Sequence, residues 1–147
     1  MRAEDVSPRI LDFPTPTFSS TPFVPGKPLT QRRIALVSSA GLAHLGDPSF
    51  AAGASDYRVL DAQSNRPIVM SHVSISFDRA GYAEDQNVVF PLDRLRELAR
   101  DGEIGSVARF HFSFMGATDP ALMAANANAV ADALRADGAD LALLLPV

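Results

Sequence analysis

The chain has 147 residues, 47% of them hydrophobic and 20% charged, with 13 basic against 17 acidic side chains and a formal net charge of −4. A domain of this size buries roughly 70% of the surface its unfolded chain exposes, so a packed core is available. The acidic balance removes the basic face that nucleic acid or an anionic membrane requires. There is no cysteine, which excludes disulfides, thiolate metal sites and thiol nucleophiles from these residues together. No apolar stretch approaches the ~20 residues needed to span a bilayer, and the N-terminus has no apolar secretion segment, so a cytoplasmic protein is expected.

Residues 1–31 hold Pro8, Pro14, Pro16, Pro22, Pro25 and Pro28, six of the eleven prolines, among Ser, Thr and Phe. Neither helix nor central strand persists in such a stretch, and it reads as an extended arm. Phe13, Phe18 and Phe23 recur every five residues, as in a segment pinned across a surface, although a partly disordered arm fits equally well. From residue 32 to residue 147 the pattern is that of one α/β domain. Ile34 to Val37 is a short apolar run ending in small residues and Gly41, a first buried strand. Tyr57 to Leu60 alternates as a strand does, and Pro67 to Met70 is a further candidate. Pro91, a proline suited to a first helical turn, precedes leucines at 92, 95 and 98, and Gly102 stops that helix. Val107 to Phe114 alternates and reads as a strand. Thr118-Asp119-Pro120 opens an alanine-rich helix with Leu122, Met123, Ala129, Val130, Ala133 and Leu134 as its apolar stripe and Gly138 as its stop. Leu141 to Leu145 then reads as a buried parallel strand beside Ile34–Val37 or Val107–Phe114. This order predicts a layered, mostly parallel sheet with flanking helices.

His44, His72 and His111 are the side chains that titrate nearest neutrality. Their wide spacing lacks a metal-binding signature, and no metal is assigned. His111, between two phenylalanines, reads as a rim residue or a ligand contact. Ser38-Ser39-Ala40-Gly41 follows the first strand, where free backbone N–H groups can cradle an anion, or where small residues simply turn the chain. The densest polar segment runs from Ser71 to Pro91; it lines a site or forms a solvated loop.

Three spaced motifs carry a resemblance: Glu84-Asp85-Gln86-Asn87-Val88-Val89-Phe90-Pro91-Leu92-Asp93-Arg94-Leu95, then Phe112-Ser113-Phe114-Met115-Gly116, then Asp137-Gly138-Ala139-Asp140-Leu141-Ala142-Leu143-Leu144-Leu145-Pro146-Val147. Together with Ala35 to Leu42 and Gly46-Asp47-Pro48-Ser49-Phe50, they resemble the glycine/sarcosine/betaine reductase selenoprotein B and D-proline reductase family over most of residues 25–147. Ser71-His72 and Asp78-Arg79 stand where that family has Ser-His and Asp-Arg, although the stretch between them departs from its His-rich form.

The resemblance implies an oxidoreductase that cleaves a C–N bond reductively, with a selenocysteine or cysteine as attacking atom and a dithiol as electron donor. In that family the redox-active residue follows the strand corresponding to Leu141–Val147. This chain is therefore expected to be the N-terminal part of a reductase subunit, either read to a UGA codon or a natural short partner subunit. Implied partners are a small amino-acid-like substrate and other reductase subunits or a dithiol carrier, with neither nucleic acid nor membrane. His72, Asp78, Arg79, Glu84 and Asp85 are the candidate substrate-binding residues, since arginine pairs bidentately with a carboxylate and a carboxylate holds an amino or quaternary nitrogen. Two rivals stand beside this: a non-catalytic ligand-binding or assembly subunit, and a metal-dependent hydrolase built on the histidines.

Overall fold

The computed structural model describes residue 17, residues 24–74 and residues 77–147. The apolar run Arg33–Ser38 forms β1 in the middle of a sheet, with Ile34, Ala35 and Leu36 all buried because both faces are covered. On one side β1 pairs in parallel with β7 (Leu141–Leu145), Ile34 lying opposite Leu141 and Ser38 opposite Leu145. On its other side stand two short parallel strands in line, β5 (Ser106–Val107) beside the start of β1 and β6 (Phe110–Phe114) beside its end. β3 (Tyr57–Asp61) pairs antiparallel with β6. A second, two-stranded sheet pairs β2 (Leu42–His44) antiparallel with β4 (Ile68–Met70). The helices are α1 (Ala80–Glu84), α2 (Leu92–Arg100) and α3 (Ala124–Ala136). The result is the mostly parallel α/β sheet with helices that the pattern predicts.

Alternation along the strands divides the core in two. Ile34, Leu36 and Leu60 face a layer made by Leu42, Val89, Phe90, Leu92, Leu95 and Ile104. Phe112 and Phe114 face the other way, with Val37 and Tyr57, onto Val130, Met123, Ala133 and Leu134 of the α3 side. Each fully buried Leu or Phe contributes about 1.5–3 kcal/mol. α2 stops where Gly102 takes φ +77 and α3 where Gly138 takes φ +73, the positive values that a helix exit favours in glycine.

Four features depart from the sequence expectation. The strand expected over Val107–Phe114 is broken at Ala108-Arg109, where the Asp137 carboxylate accepts from the backbone N–H of Arg109 (2.8 Å) and Phe110 (3.1 Å) in place of a strand partner. His111 is not on a rim: it is fully buried, and its Nδ1 accepts the Leu36 N–H at 2.9 Å. β7 is parallel and beside β1 as expected, but it is an edge strand; Leu143 is 38% and Leu144 67% exposed. β2 and α1 were not anticipated, because three and five residues are too short to show a period. The arm expected over residues 1–31 lies outside the described residues except at Thr17 and from Val24 onward, where the chain is exposed up to a 3₁₀ turn at Leu29–Gln31. The phenylalanine spacing at 13, 18 and 23 falls outside them too.

Candidate functional site

β1, β6 and β7 run in parallel, with Ser38 level with both Ser113 and Leu145, so their carboxyl ends open at one edge. Open α/β sheets bind ligands at that edge. Hydrogen bonds then gather four chain segments there. The Ser39 N–H donates to the Leu145 carbonyl (3.0 Å) and the Gly41 N–H to the Phe114 carbonyl (2.8 Å). The Ser71 N–H donates to the Gly41 carbonyl (2.7 Å), bringing His72 to the same place. The Val147 N–H donates to Ser39 Oγ at 2.8 Å. Two glycines make this convergence possible. Gly41 has φ +65, and a Cβ there would lie 2.9 Å from His72 Cα; Gly116 has φ +84, and a Cβ there would lie 2.6 Å from the Ser39 carbonyl oxygen. Any side chain at either position would push the segments apart.

His72 is 8% exposed, stacked on Phe77 with ring centroids 4.8 Å apart. Its Nδ1 accepts the Ser74 N–H at 3.2 Å, so the ring proton sits on Nε2, which has no internal acceptor among the described residues. Burial, and then the Arg79 charge, hold the His72 pKa below the ordinary histidine value, so the ring is neutral at neutral pH. It is thus a fixed neutral hydrogen-bond donor at the sheet edge. Arg79 is the strut of the same loop. Its Nη2 donates to the carbonyls of His72 (2.7 Å) and Ser74 (3.1 Å), and its Nη1 to that of Phe77 (3.3 Å). Among the described residues Nε–H and the second Nη1 hydrogen have no acceptor.

The other sequence candidates lie further along the chain. Asp78 is exposed and accepts the Ala80 N–H (2.8 Å) at the start of α1. Glu84 is exposed at the end of α1. Asp85, also exposed, accepts from Asn87 N–H and Nδ2, both at 2.9 Å, and those bonds lower its pKa. The structure therefore brings His72 and Arg79 together and joins neither Glu84 nor Asp85 to them by any contact among the described residues.

The remaining polar signals resolve into structure. The four N–H groups from Ser39 to Leu42 are all taken, by Leu145 O, Ser38 Oγ, Phe114 O and Ser113 Oγ, so this turn offers no free anion cradle. Ser38 is buried with its hydroxyl given to the Val89 carbonyl (3.0 Å). His44 has both ring nitrogens engaged: Nε2 accepts the Asp61 N–H and Nδ1 donates to the Arg66 carbonyl, each at 3.1 Å. Among the described residues no group of three or more His, Cys, Asp or Glu could hold a metal ion. A polar cavity of about 270 Å³ lies between Arg33, Arg96 and Arg109, away from the sequence candidates. Each of those guanidiniums is matched by an aspartate, Asp137, Asp93 and Asp61 respectively. Sequence reading missed Gly41 and Gly116 as the residues on which the edge depends; their only signal was glycine directly after an apolar strand.

Comparison with known proteins places these features in a family context. The model of the glycine/sarcosine/betaine reductase selenoprotein B family matches residues 10–146. The chain is 30% identical over 113 residues to the sarcosine reductase complex component B subunit beta of Peptoclostridium acidaminophilum, covering 71% of this chain and 26% of that protein. It is 29% identical over 140 residues to the glycine reductase complex component B subunit gamma of Carboxydothermus hydrogenoformans, covering 90% of this chain and 32% of that one. It is 36% identical over 93 residues to the D-proline reductase subunit gamma of Acetoanaerobium sticklandii, covering 61% and 37%. The chain thus spans between a quarter and two fifths of the length of these relatives. No solved structure matches it significantly.

Proposed function

The chain belongs to the glycine/sarcosine/betaine reductase selenoprotein B family, and from that premise we propose that it is part of an oxidoreductase that cleaves a C–N bond of a small amino acid or its N-methylated derivative. The observation that carries this reading is the convergence of Ser39, Gly41, His72, Gly116 and Val147 at the carboxyl edge of the parallel sheet, in a chain that matches the family over 10–146.

The chain holds no cysteine, so the selenol or thiol comes from outside these residues. The support for such a group at this edge is chemical: the neutral ring of His72, held there with Nδ1 bonded to the Ser74 N–H, keeps an Nε2–H that favours an anion beside it. When present, a selenolate or thiolate supplies a soft nucleophile that a dithiol can later release. The residues of this chain bind and orient. Arg79, with two N–H groups that take no acceptor among the described residues, faces a substrate carboxylate. Asp78, exposed and next to Arg79 in the chain, supplies negative charge for an ammonium or quaternary nitrogen. Other reductase subunits and a dithiol carrier are its partners, and selenocysteine or cysteine is the redox group.

A second reading, a ligand-binding or assembly subunit without chemistry of its own, is favoured by the same absence of cysteine. Both readings share the binding site, which an NMR titration tests. Glycine, sarcosine, betaine and proline added in turn shift the backbone amides of Gly41, His72 and Gly116 under the proposed function. Shifts confined to residues around the Arg33–Arg96–Arg109 cavity, or none, refute it.

A further inference from the structure

The polar cavity of about 270 Å³ lies at the end of the sheet opposite the His72 loop. Arg33 is the first residue of β1, Arg109 stands just before β6, and Ala62 follows the last residue of the antiparallel β3, so these residues gather at the amino ends of the parallel strands. Arg96 joins them from α2. The six residues of β1 separate the two edges by ~17 Å at about 3.3 Å per residue, so a small ligand here does not reach the carboxyl edge. Among the described residues no carboxylate lines this cavity. Asp61 and Asp93 line a neighbouring one, and Asp137 is bonded to the Arg109 and Phe110 N–H groups at the strand break. These aspartates balance the arginine charges without filling their donors. A guanidinium carries five N–H groups. Arg33 gives three, to the Asp137 carboxylate and to the Asp137 and Val107 carbonyls; Arg96 gives two, to Asp93 and the Ala62 carbonyl; Arg109 gives two, both to Asp61. Two N–H groups on Arg33, three on Arg96 and three on Arg109 are left with no acceptor among the described residues.

We infer that this cavity binds a phosphate group, free or carried by a small monoester, held by Arg33, Arg96 and Arg109. The donors come from three separate elements. A carboxylate offers about four lone-pair sites in one plane, whereas a phosphate presents at least three strong acceptor oxygens in three dimensions and so answers more of these forks at once. Pockets for larger molecules begin near ~300 Å³, so the ligand is small. A second observation stands behind the cavity wall. His111 is fully buried, and its Nε2 is a buried side-chain nitrogen with no hydrogen-bond partner among the described residues. Nδ1 accepts the Leu36 N–H, so Nε2 carries the proton. The charges of Arg96 and Arg33 and the Ala108 backbone, all part of the cavity lining, act on this ring. An anion bound there supplies the negative charge that the buried donor lacks. Arg96 and Arg109 are about half-exposed, which leaves the way in open. The inference is independent of the proposed function.

The test titrates inorganic phosphate, glycerol 3-phosphate and acetate separately into the 147-residue chain at constant ionic strength, which holds the screening of exposed charges fixed, and follows backbone amides by NMR. The expected result is saturable shifts at Gln63, Ala108 and Arg109 with the two phosphate probes, the tighter of which identifies the source of the group. Arg96→Gln and Arg109→Gln each weaken phosphate binding about tenfold, the loss of a charge-assisted bond. Arg94→Gln, which breaks only an exposed pair with Glu97 on the same helix, leaves it unchanged. Asp61→Asn releases Arg109 from its carboxylate while keeping an acceptor for the Gln63 N–H, and binds phosphate severalfold tighter. A gain of this kind is not imitated by misfolding. Shifts that never saturate, equal shifts at Arg94 and Arg100, or an affinity unchanged in both Arg96→Gln and Arg109→Gln overturn the inference. Acetate bound as tightly as phosphate overturns the assignment to a phosphate group.

Discussion

Asp137 shows how much one side chain settles in this fold. Its carboxylate accepts from Arg109 N–H, Phe110 N–H and Arg33 Nη2 (3.1 Å), closing the break between β5 and β6 from the end of α3. Burial raises its pKa, but those three donors outweigh it and the net shift is downward. Asp137→Ala leaves two backbone donors without an acceptor and is expected to cost about 2–3 kcal/mol, read from the urea midpoint. Asp137→Asn, which keeps an acceptor, costs less. His111 governs a different property. Its pKa falls to about 4, first because of burial and then because of the Arg96 charge. The unfolded chain takes up a proton near pH 6.5 while the folded one does not until about pH 4, so the unfolded state binds more protons between these limits. Stability is full above pH 6.5 and falls as the pH drops, by up to about 1.4 kcal/mol per unit. His111→Asn flattens urea-derived stability against pH in this window; an unchanged slope contradicts the assignment. Neither role was legible beforehand. A histidine between phenylalanines looks alike on a rim and in a core, and an aspartate after a helix gives no sign of the strand break it fills.

At the scale of elements, the long periodic pieces were legible and the short ones were not. α2, α3, β1 and β7 carry enough apolar positions to declare period and direction. β2 owes its form to a tertiary bond, Leu42 N–H to Ser113 Oγ (2.8 Å), and α1 to a local one, the Asp78 carboxylate accepting the Ala80 N–H at its start. β7 reads from its five apolar residues as interior, yet pattern alone does not reveal how many neighbours a strand has. The segment from Ser71 to Pro91 stands out in the sequence by its density of polar groups, and its first residue does reach the carboxyl edge. What the sequence hid is that Arg79 bonds three carbonyls of its own loop, giving it a structural duty alongside any ligand. Arg79→Ala is therefore expected to raise the exchange rate of the Ser74 amide, which His72 holds, while lowering global stability by only about 1 kcal/mol. Unaltered exchange at Ser74 would show that the loop stands without this strut.

For the whole molecule, three parallel strands end together at an edge whose glycines let four segments meet, and the family match covers nearly all of it. No helix among the described residues is long and apolar enough to cross a membrane. The residue types at that edge donate and orient, and none of them can exchange electrons with a dithiol. The proposed function therefore divides the work: binding by these residues, redox chemistry by a selenol or thiol from outside them. It is tested most directly by measuring dithiol-dependent C–N cleavage of glycine, sarcosine, betaine and proline, read as amine released from the first three and as ring-opened amino acid from proline, with the 147-residue chain alone and with the chain extended by a cysteine-bearing segment after Val147. The account predicts no turnover by the chain alone and turnover of at least one substrate by the extended protein, lost when the added cysteine is changed to serine. Turnover by the cysteine-free chain itself would contradict it.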